Sequence, residues 1–287
     1  MATTLFKGAR VFDGESVHEN TDVLVVDQTI AQVGPGIEAP AGAEVIDGAG
    51  KTLLPGLIDA HTHAKPPSLQ MALAFGVTTE LDMFSDPDFM VQQKADAQAR
   101  NDMADVRTAM TGVTVEGGFA NGFVGPFFDK PFPVLESAEH ADEFVAARVA
   151  EGADYIKIMV EDGAALGLEF PDLTEEAVKA VVHAAHKRGK MTVAHAMTLH
   201  SALRAVRAGI DGLVHLFSDE EPTDEEVAEF VASGVFVVPT LSVLQSLHGH
   251  TCAAHFTSDD RAKPYLTDSW SDNLLESWHV PAPGSLD

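Results

Sequence analysis

Thirteen histidines are spread along the 287 residues, and the pair whose spacing could do chemistry is His61-Thr62-His63. It closes an apolar run, residues 56–63, that reads as a strand. Side chains alternate across a strand, so both imidazoles share one face. Two neutral imidazoles held side by side suit a divalent cation such as zinc. Three more residues occupy comparable places. Lys157 stands within Tyr155-Ile156-Lys157-Ile158-Met159-Val160, and a lysine among apolar strand residues is costly unless neutralised or paired. His195 ends Thr192-Val193-Ala194-His195, and His215 ends Gly212-Leu213-Val214-His215. A lone histidine in an apolar strand is ordinarily a packed core residue. Four histidines and a lysine on the first, fourth, fifth and sixth strands of one series are hard to assign to chance together.

Other candidates read more blandly. His248-Gly249-His250 lies in a loop past the last apolar run and is expected to be solvated. His183 and His186, three apart on a helix, belong to a solvated face, and Glu161-Asp162-Gly163 reads as a turn. Asp59 shares the face of His61 and is expected to serve as a hydrogen-bonding residue. The segment 117–133 holds Phe119, Phe123, Phe127, Phe128 and Phe132. It reads equally as the wall of an apolar substrate pocket or as a loop packed on itself or on a neighbouring subunit.

The elements that must position these residues follow from the pattern. Residues 1–54 read as a small β domain, with short strands at 5–12, 23–27, 29–33, 44–47 and 52–54, the first closed by the turn pair Asp13-Gly14. From Pro55 the grammar changes to short apolar runs alternating with helices, the mark of βα units and a parallel sheet. Seven runs are countable: 56–63, 77–84, 106–115, 155–160, 191–196, 212–217 and 235–243. The intervening helices carry terminus signals. Thr174 can cap a helix opening on Glu175 and Glu176 and ending at Arg188-Gly189; 201–208 and 224–232 repeat the scheme before Gly209 and Gly234. The expected architecture is an α/β (β/α) barrel over 55–243 with about seven of eight strands. Residues 244–287 form a loop and helical segment, with Trp270 and Trp278 on one helix face.

Composition narrows the function. Lys plus Arg is 18 against 44 Asp plus Glu, a net charge of −26, and so acidic a surface repels nucleic acid and anionic membranes. Cys252 is the single cysteine, so no internal disulfide forms. No leader-like apolar region opens the chain and no apolar run reaches 18 residues, so the expected location is cytoplasmic. Neither a phosphate-binding glycine loop nor a serine nucleophile elbow is present.

The stretch Pro55-Gly56-Leu57-Ile58-Asp59-Ala60-His61-Thr62-His63 resembles the signature of the amidohydrolase superfamily, and the preceding sheet resembles that family's small composite β domain. The resemblance runs from residue 1 to about 243 and is nearest the imidazolonepropionase-like and prolidase-like branch. It implies that His61 and His63 bind the more buried of two divalent metal ions. Lys157, carboxylated to a carbamate, would bridge the two, and His195 and His215 would hold the second. Zinc is the expected metal, with manganese, cobalt or iron as alternatives. A metal-activated hydroxide would then attack the amide, cyclic amide or peptide C–N bond of a small-molecule substrate. The family's aspartate at the end of strand eight has no match: Asp219, Asp259, Asp260 and Asp272 are nearby acids, but none ends a strand. The chain is therefore expected to be a C-terminally shortened member with low activity, and its open sheet edges make a homo-oligomer an option. The alternatives are a hydrolase of ester, lactone or phosphotriester bonds using the same site, a single-metal deaminase, and a non-catalytic fragment or scaffold. Lys157 argues against the deaminase, because one metal needs no bridging carbamate.

Overall fold

Residues 2–121, 132–247, 249–251 and 254–275 are described in the computed structural model. The chain divides into two units, Met1–Leu57 and Ile58–Asp287.

The first unit is built on β1 (Thr3–Phe12), β2 (Val17–Val26), β3 (Thr29–Gly34), β4 (Glu44–Asp47) and β5 (Thr52–Leu53). Strand order is β3-β2-β1-β4, with β5 also on β1. β1 runs antiparallel to β2 and parallel to β4 and β5. Alternation along β1 buries Leu5, Ala9 and Val11, and Ala9 and Val11 pack with Val23 of β2. The Asp13-Gly14 turn forms as its residues dictate: Gly14 takes φ +107°, and the Asp13 carboxylate accepts the N–H groups of Glu15 and Ser16. The buried Asp22 carboxylate accepts from Gly8 N at 2.7 Å and Ile37 N at 2.9 Å, which pins the long connection after β3 to the sheet.

In the second unit helices alternate with strands. The order is β6 (Leu57–Thr62), α1 (Ser68–Ala74), β7 (Val77–Asp82), α2 (Pro87–Ala99), β8 (Asp105–Thr108), α3 (Ala141–Ala150), β9 (Ile156–Met159), α4 (Glu175–His186), β10 (Thr192–His195), α5 (Leu199–Arg207), β11 (Gly212–Leu213), α6 (Asp224–Ser233), β12 (Phe236–Val237), α7 (Leu241–Leu247), α8 (Ala254–Ser258) and α9 (Asp268–Leu275). The strands fall into two sheets in sequence order, β6-β7-β8 and β9-β10-β11-β12, linked by a parallel bridge between Val113 and Ile158. The pairs β7–β8, β9–β10, β10–β11 and β11–β12 are parallel.

Period two sorts the strand side chains into two layers. Ile156, Ile158, Ala194 and Leu213 join Val178, Val181, Ala202 and Val206 of the helices in the main core. Tyr155, Val193 and Val214 pack together on the opposite face with Met83 and Ala109. That second face is the one Lys157 and His195 share by register.

Helix ends obey their local chemistry. Thr174 Oγ1 accepts Ala177 N, and Gly189 takes φ +66°. α5 starts two residues earlier than its apolar spacing suggests, because Thr198 caps it by accepting Ser201 N. Thr223 and Glu226 form a reciprocal capping box on α6.

Three apolar runs are markedly shorter as strands than the pattern implies, and of run 212–217 only Gly212–Leu213 is strand. Run 106–115 breaks after Thr108, where Met110 (φ +55°) and Gly112 (φ +71°) turn the chain before Val113 rejoins the ladder. Run 235–243 keeps only Phe236–Val237 as strand. Thr240 at φ +48° ends it, and Val243 lies in α7. Among the described residues β12 has one strand neighbour, and Phe236 and Val237 remain 40% and 44% exposed, so little holds a longer ladder there. Among the described residues, helices and loops follow β12, with Trp270 on α9; Cys252 and Trp278 lie outside the described residues. No helix among the described residues is long and apolar enough to cross a membrane.

Candidate metal centre

The four histidines named by spacing are neighbours in space. His61 lies on β6 and His63 just past its end, His195 ends β10, and His215 follows β11. Ring centroids are 5.5 Å apart for His61–His63, 4.6 Å for His61–His215 and 4.5 Å for His195–His215. Lys157 of β9 is 1% exposed. Its charge bears on all four rings, so the β9 lysine lies within electrostatic reach of each.

Electrostatics make these imidazoles neutral lone-pair donors. Burial, and then the nearby Lys157, holds His63 down to about 4. Burial also drives His61, His195 and His215 well below the ordinary histidine range. Lys157 is itself lowered to about 7 by burial, with Asp82 pulling the other way. Hydrogen bonds orient two of the rings. His63 Nδ1 lies 3.1 Å from Phe84 O; a carbonyl only accepts, so Nδ1 carries the proton and Nε2 keeps its lone pair. His215 Nδ1 pairs with the Thr240 hydroxyl at 2.8 Å. His61 Nδ1 is buried with no hydrogen-bond partner, an arrangement that proteins rarely leave without a ligand; His195 Nε2, also without a hydrogen bond, faces Glu161 Oε2 at 3.5 Å. Among the described residues, no three His, Cys, Asp or Glu groups converge on a point as ligands of a single ion. The gathering is of four rings within electrostatic reach of a buried lysine.

Three buried acids near this face escape sequence reading, because a single carboxylate in a strand or turn carries no spacing signal. Asp82, at the end of β7, is fully buried and accepts from Ala64 N (2.9 Å), the Ser85 hydroxyl (2.5 Å) and the Thr108 hydroxyl (2.6 Å). It thereby anchors the chain immediately after His63. Glu161 is more than part of a turn. Gly163 does take φ +89°, but the Glu161 carboxylate is buried, accepting Gly163 N at 2.9 Å and Met197 N at 3.2 Å. Glu80, also buried, is pushed up chiefly by desolvation.

The remaining candidates separate. Phe119 lies over His195, centroids 4.8 Å apart, and Phe132 packs on Phe84 at 4.4 Å. Phe123, Phe127 and Phe128 lie outside the described residues. Asp59 is exposed and accepts His61 N at 3.1 Å. His183 and His186 are exposed, the latter 2.8 Å from Asp211. His250 is exposed, and His248 lies outside the described residues. A cavity of about 660 Å³ opens between β6, α1 and α9, walled by Met71, Phe75, Trp270 and Leu274. Of the four clustered histidines only His63 borders it, so it is not the space the rings enclose.

Comparison with known proteins adds to this geometry. The dihydroorotase of Geotalea daltonii is 49% identical over 65 residues, 22% of this chain and 15% of that protein. The dihydroorotase of Mycobacterium tuberculosis is 46% identical over 70 residues, 24% of this chain and 16% of that protein. These matches are local and span about a sixth of the relatives' length. Among solved structures, a Xaa-Pro dipeptidase with bound methionine superposes with TM-score 0.70 at 22% identity, covering 95% of this chain and 73% of that one. Ochratoxinase from A. niger superposes with TM-score 0.68 at 18% identity, covering 95% and 71%. At these identities the likeness is one of fold. The model of the amidohydrolase family matches residues 52–264. That span opens just before the His61-Thr62-His63 pair, closes beyond His215 and contains all five gathered residues; on this match the chain belongs to the amidohydrolase family.

Proposed function

We propose that this chain carries the metal centre of a hydrolase that cleaves amide, cyclic amide or peptide C–N bonds in small molecules. The observation that carries the reading is the grouping of four neutral imidazoles within electrostatic reach of one buried lysine. The donor chemistry fits divalent cations: imidazole suits zinc, with manganese, cobalt or iron as alternatives, and the buried His61 Nδ1 lacks any hydrogen-bond partner. His61 and His63 would hold one ion, and His195 and His215 the other. Divalent ions held there would supply Lewis acidity toward a carbonyl oxygen and lower the pKa of a bound water.

Lys157 decides whether the charges suit two dications. As an ammonium within reach of the four rings it repels them. Its lowered proton affinity leaves a substantial fraction of free amine near neutrality. The neutral amine nitrogen can attack CO₂, forming an N–C bond as one C=O π bond opens and losing one proton to solvent; with the proton already lost from the ammonium, a buried cation is replaced by a carbamate anion that would be shared between the two ions. Phe119, tilted 31° over His195, supplies an apolar wall. The local likeness to dihydroorotases and the fold likeness to a Xaa-Pro dipeptidase support an amide or peptide substrate and a prolidase-like branch.

The test is to strip the 287-residue chain of metal, reload it with zinc or manganese in bicarbonate, and assay dipeptides, N-acyl amino acids and dihydroorotate. Turnover that requires metal and is lost on chelation is expected. Failure to retain any metal, or turnover indifferent to chelator, overturns the proposal.

A further inference from the structure

Glu161 lies outside the ligand set, yet its carboxylate is fully buried and its Oε2 is 3.5 Å from His195 Nε2. Two backbone donors fix it: Gly163 N on Oε1, and Met197 N on Oε2. Its own backbone N–H is held by Asp172 Oδ1 at 3.2 Å, and Asp172 is held in turn by Arg204 at 2.7 Å. The end of β9 is thus tied to the end of β10 through one rigid acid. On its other side His195 is covered by the Phe119 ring, tilted 31° to it. His195 Nε2 has no hydrogen-bond partner although it is buried, and Glu161 Oε2 is the ionisable acceptor beside it.

We infer that Glu161 is the positioning residue of His195: it takes the Nε2–H of the ring, fixes that tautomer and so presents the Nδ1 lone pair to the metal centre. Each Glu161 oxygen already accepts a backbone N–H, which favours the carboxylate form; a carboxylate oxygen accepts and cannot donate, so the nitrogen facing it carries the proton. The opposite nitrogen is then the only one with a lone pair to offer. A small turn of the ring closes 3.5 Å to an ordinary charge-assisted bond. Outer carboxylates that orient ligating imidazoles in this way are typically worth 10–100-fold in metal affinity. The inference rests on the metal-centre reading for its consequence, but the tautomer it assigns belongs to the metal-free protein.

The experiment is ¹⁵N NMR of the full chain without metal, with the His195 ring assigned through its own backbone, alongside zinc affinity by competition with a chelating dye. The wild-type ring should be the Nε2–H tautomer. In Glu161→Ala, which leaves the ring no acceptor, the preference for Nε2–H should be lost and zinc binding should weaken by about 10–100-fold. Glu161→Asp, which keeps the charge, should retain the tautomer and recover part of the affinity. An Nδ1–H tautomer in the wild type overturns the inference even if every variant fails to fold. Unchanged tautomer and affinity in a folded Glu161→Ala also overturn it. Absence of zinc binding by the wild type would count against the metal reading alone, because the tautomer would still be read.

Discussion

Replacing Lys157 by Met removes a buried charge within electrostatic reach of the ring cluster while keeping an unbranched side chain of similar length. Burial holds the Lys157 amine at about 7, against 10.5 for an ordinary lysine. At about 1.4 kcal/mol per pH unit, that gap corresponds to roughly 5 kcal/mol of penalty in the metal-free, uncarboxylated protein. The sign follows from proton counting. Below pH 7 the lysine is charged in both states and the full penalty stands. Between about 7 and 10.5 the unfolded chain binds more protons than the folded one, so wild-type stability rises with pH. Lys157→Met should therefore stabilise the metal-free chain by roughly 5 kcal/mol at pH 6, falling to roughly 1–2 kcal/mol at pH 9.5. The assay is urea unfolding followed by circular dichroism, in CO₂-free buffer with chelator, at both pH values. Added zinc and bicarbonate should reverse the ranking, stabilising the wild type and leaving the variant unmoved. A stability difference that stays constant with pH would refute the reasoning, since it would mean that Lys157 carries no desolvated charge in the folded state.

Three further outcomes follow from the same structure. His61→Ala and His215→Ala should each lower bound zinc, measured by elemental analysis after dialysis, without changing the far-ultraviolet circular dichroism. Phe119→Ala should cost about 3 kcal/mol as a buried ring is deleted and should raise KM for apolar amides more than it lowers kcat; an unchanged KM would place the wall elsewhere. Thr223→Ala breaks the capping box of α6 and should cost about 1 kcal/mol in urea unfolding, with zinc affinity unchanged.

The sequence by itself determined the elements and the ligand candidates, because both are written in short-range periodicities. Alternation named the strands, Thr174 and Gly189 marked the ends of α4, and residues two apart in His61-Thr62-His63 had to share a face. The grammar of βα units led to the parallel order β9-β10-β11-β12. What it could not determine is anything that depends on strands meeting. The length of β12 depended on how few neighbours hold it. The break after Thr108 depended on a left-handed Met110 that no residue-type rule anticipates. Asp82 and Glu161 look like any strand-end or turn acid in one dimension. Only packing shows that one accepts the N–H beside His63 and that the other clamps Met197 N against His195. Burial, which moves Lys157 to about 7 and makes four histidines neutral, is likewise a property of surroundings contributed by residues far apart in the chain. Residue type and spacing select the atoms that can do chemistry; the low-dielectric enclosure that tunes them exists only once distant strands are side by side.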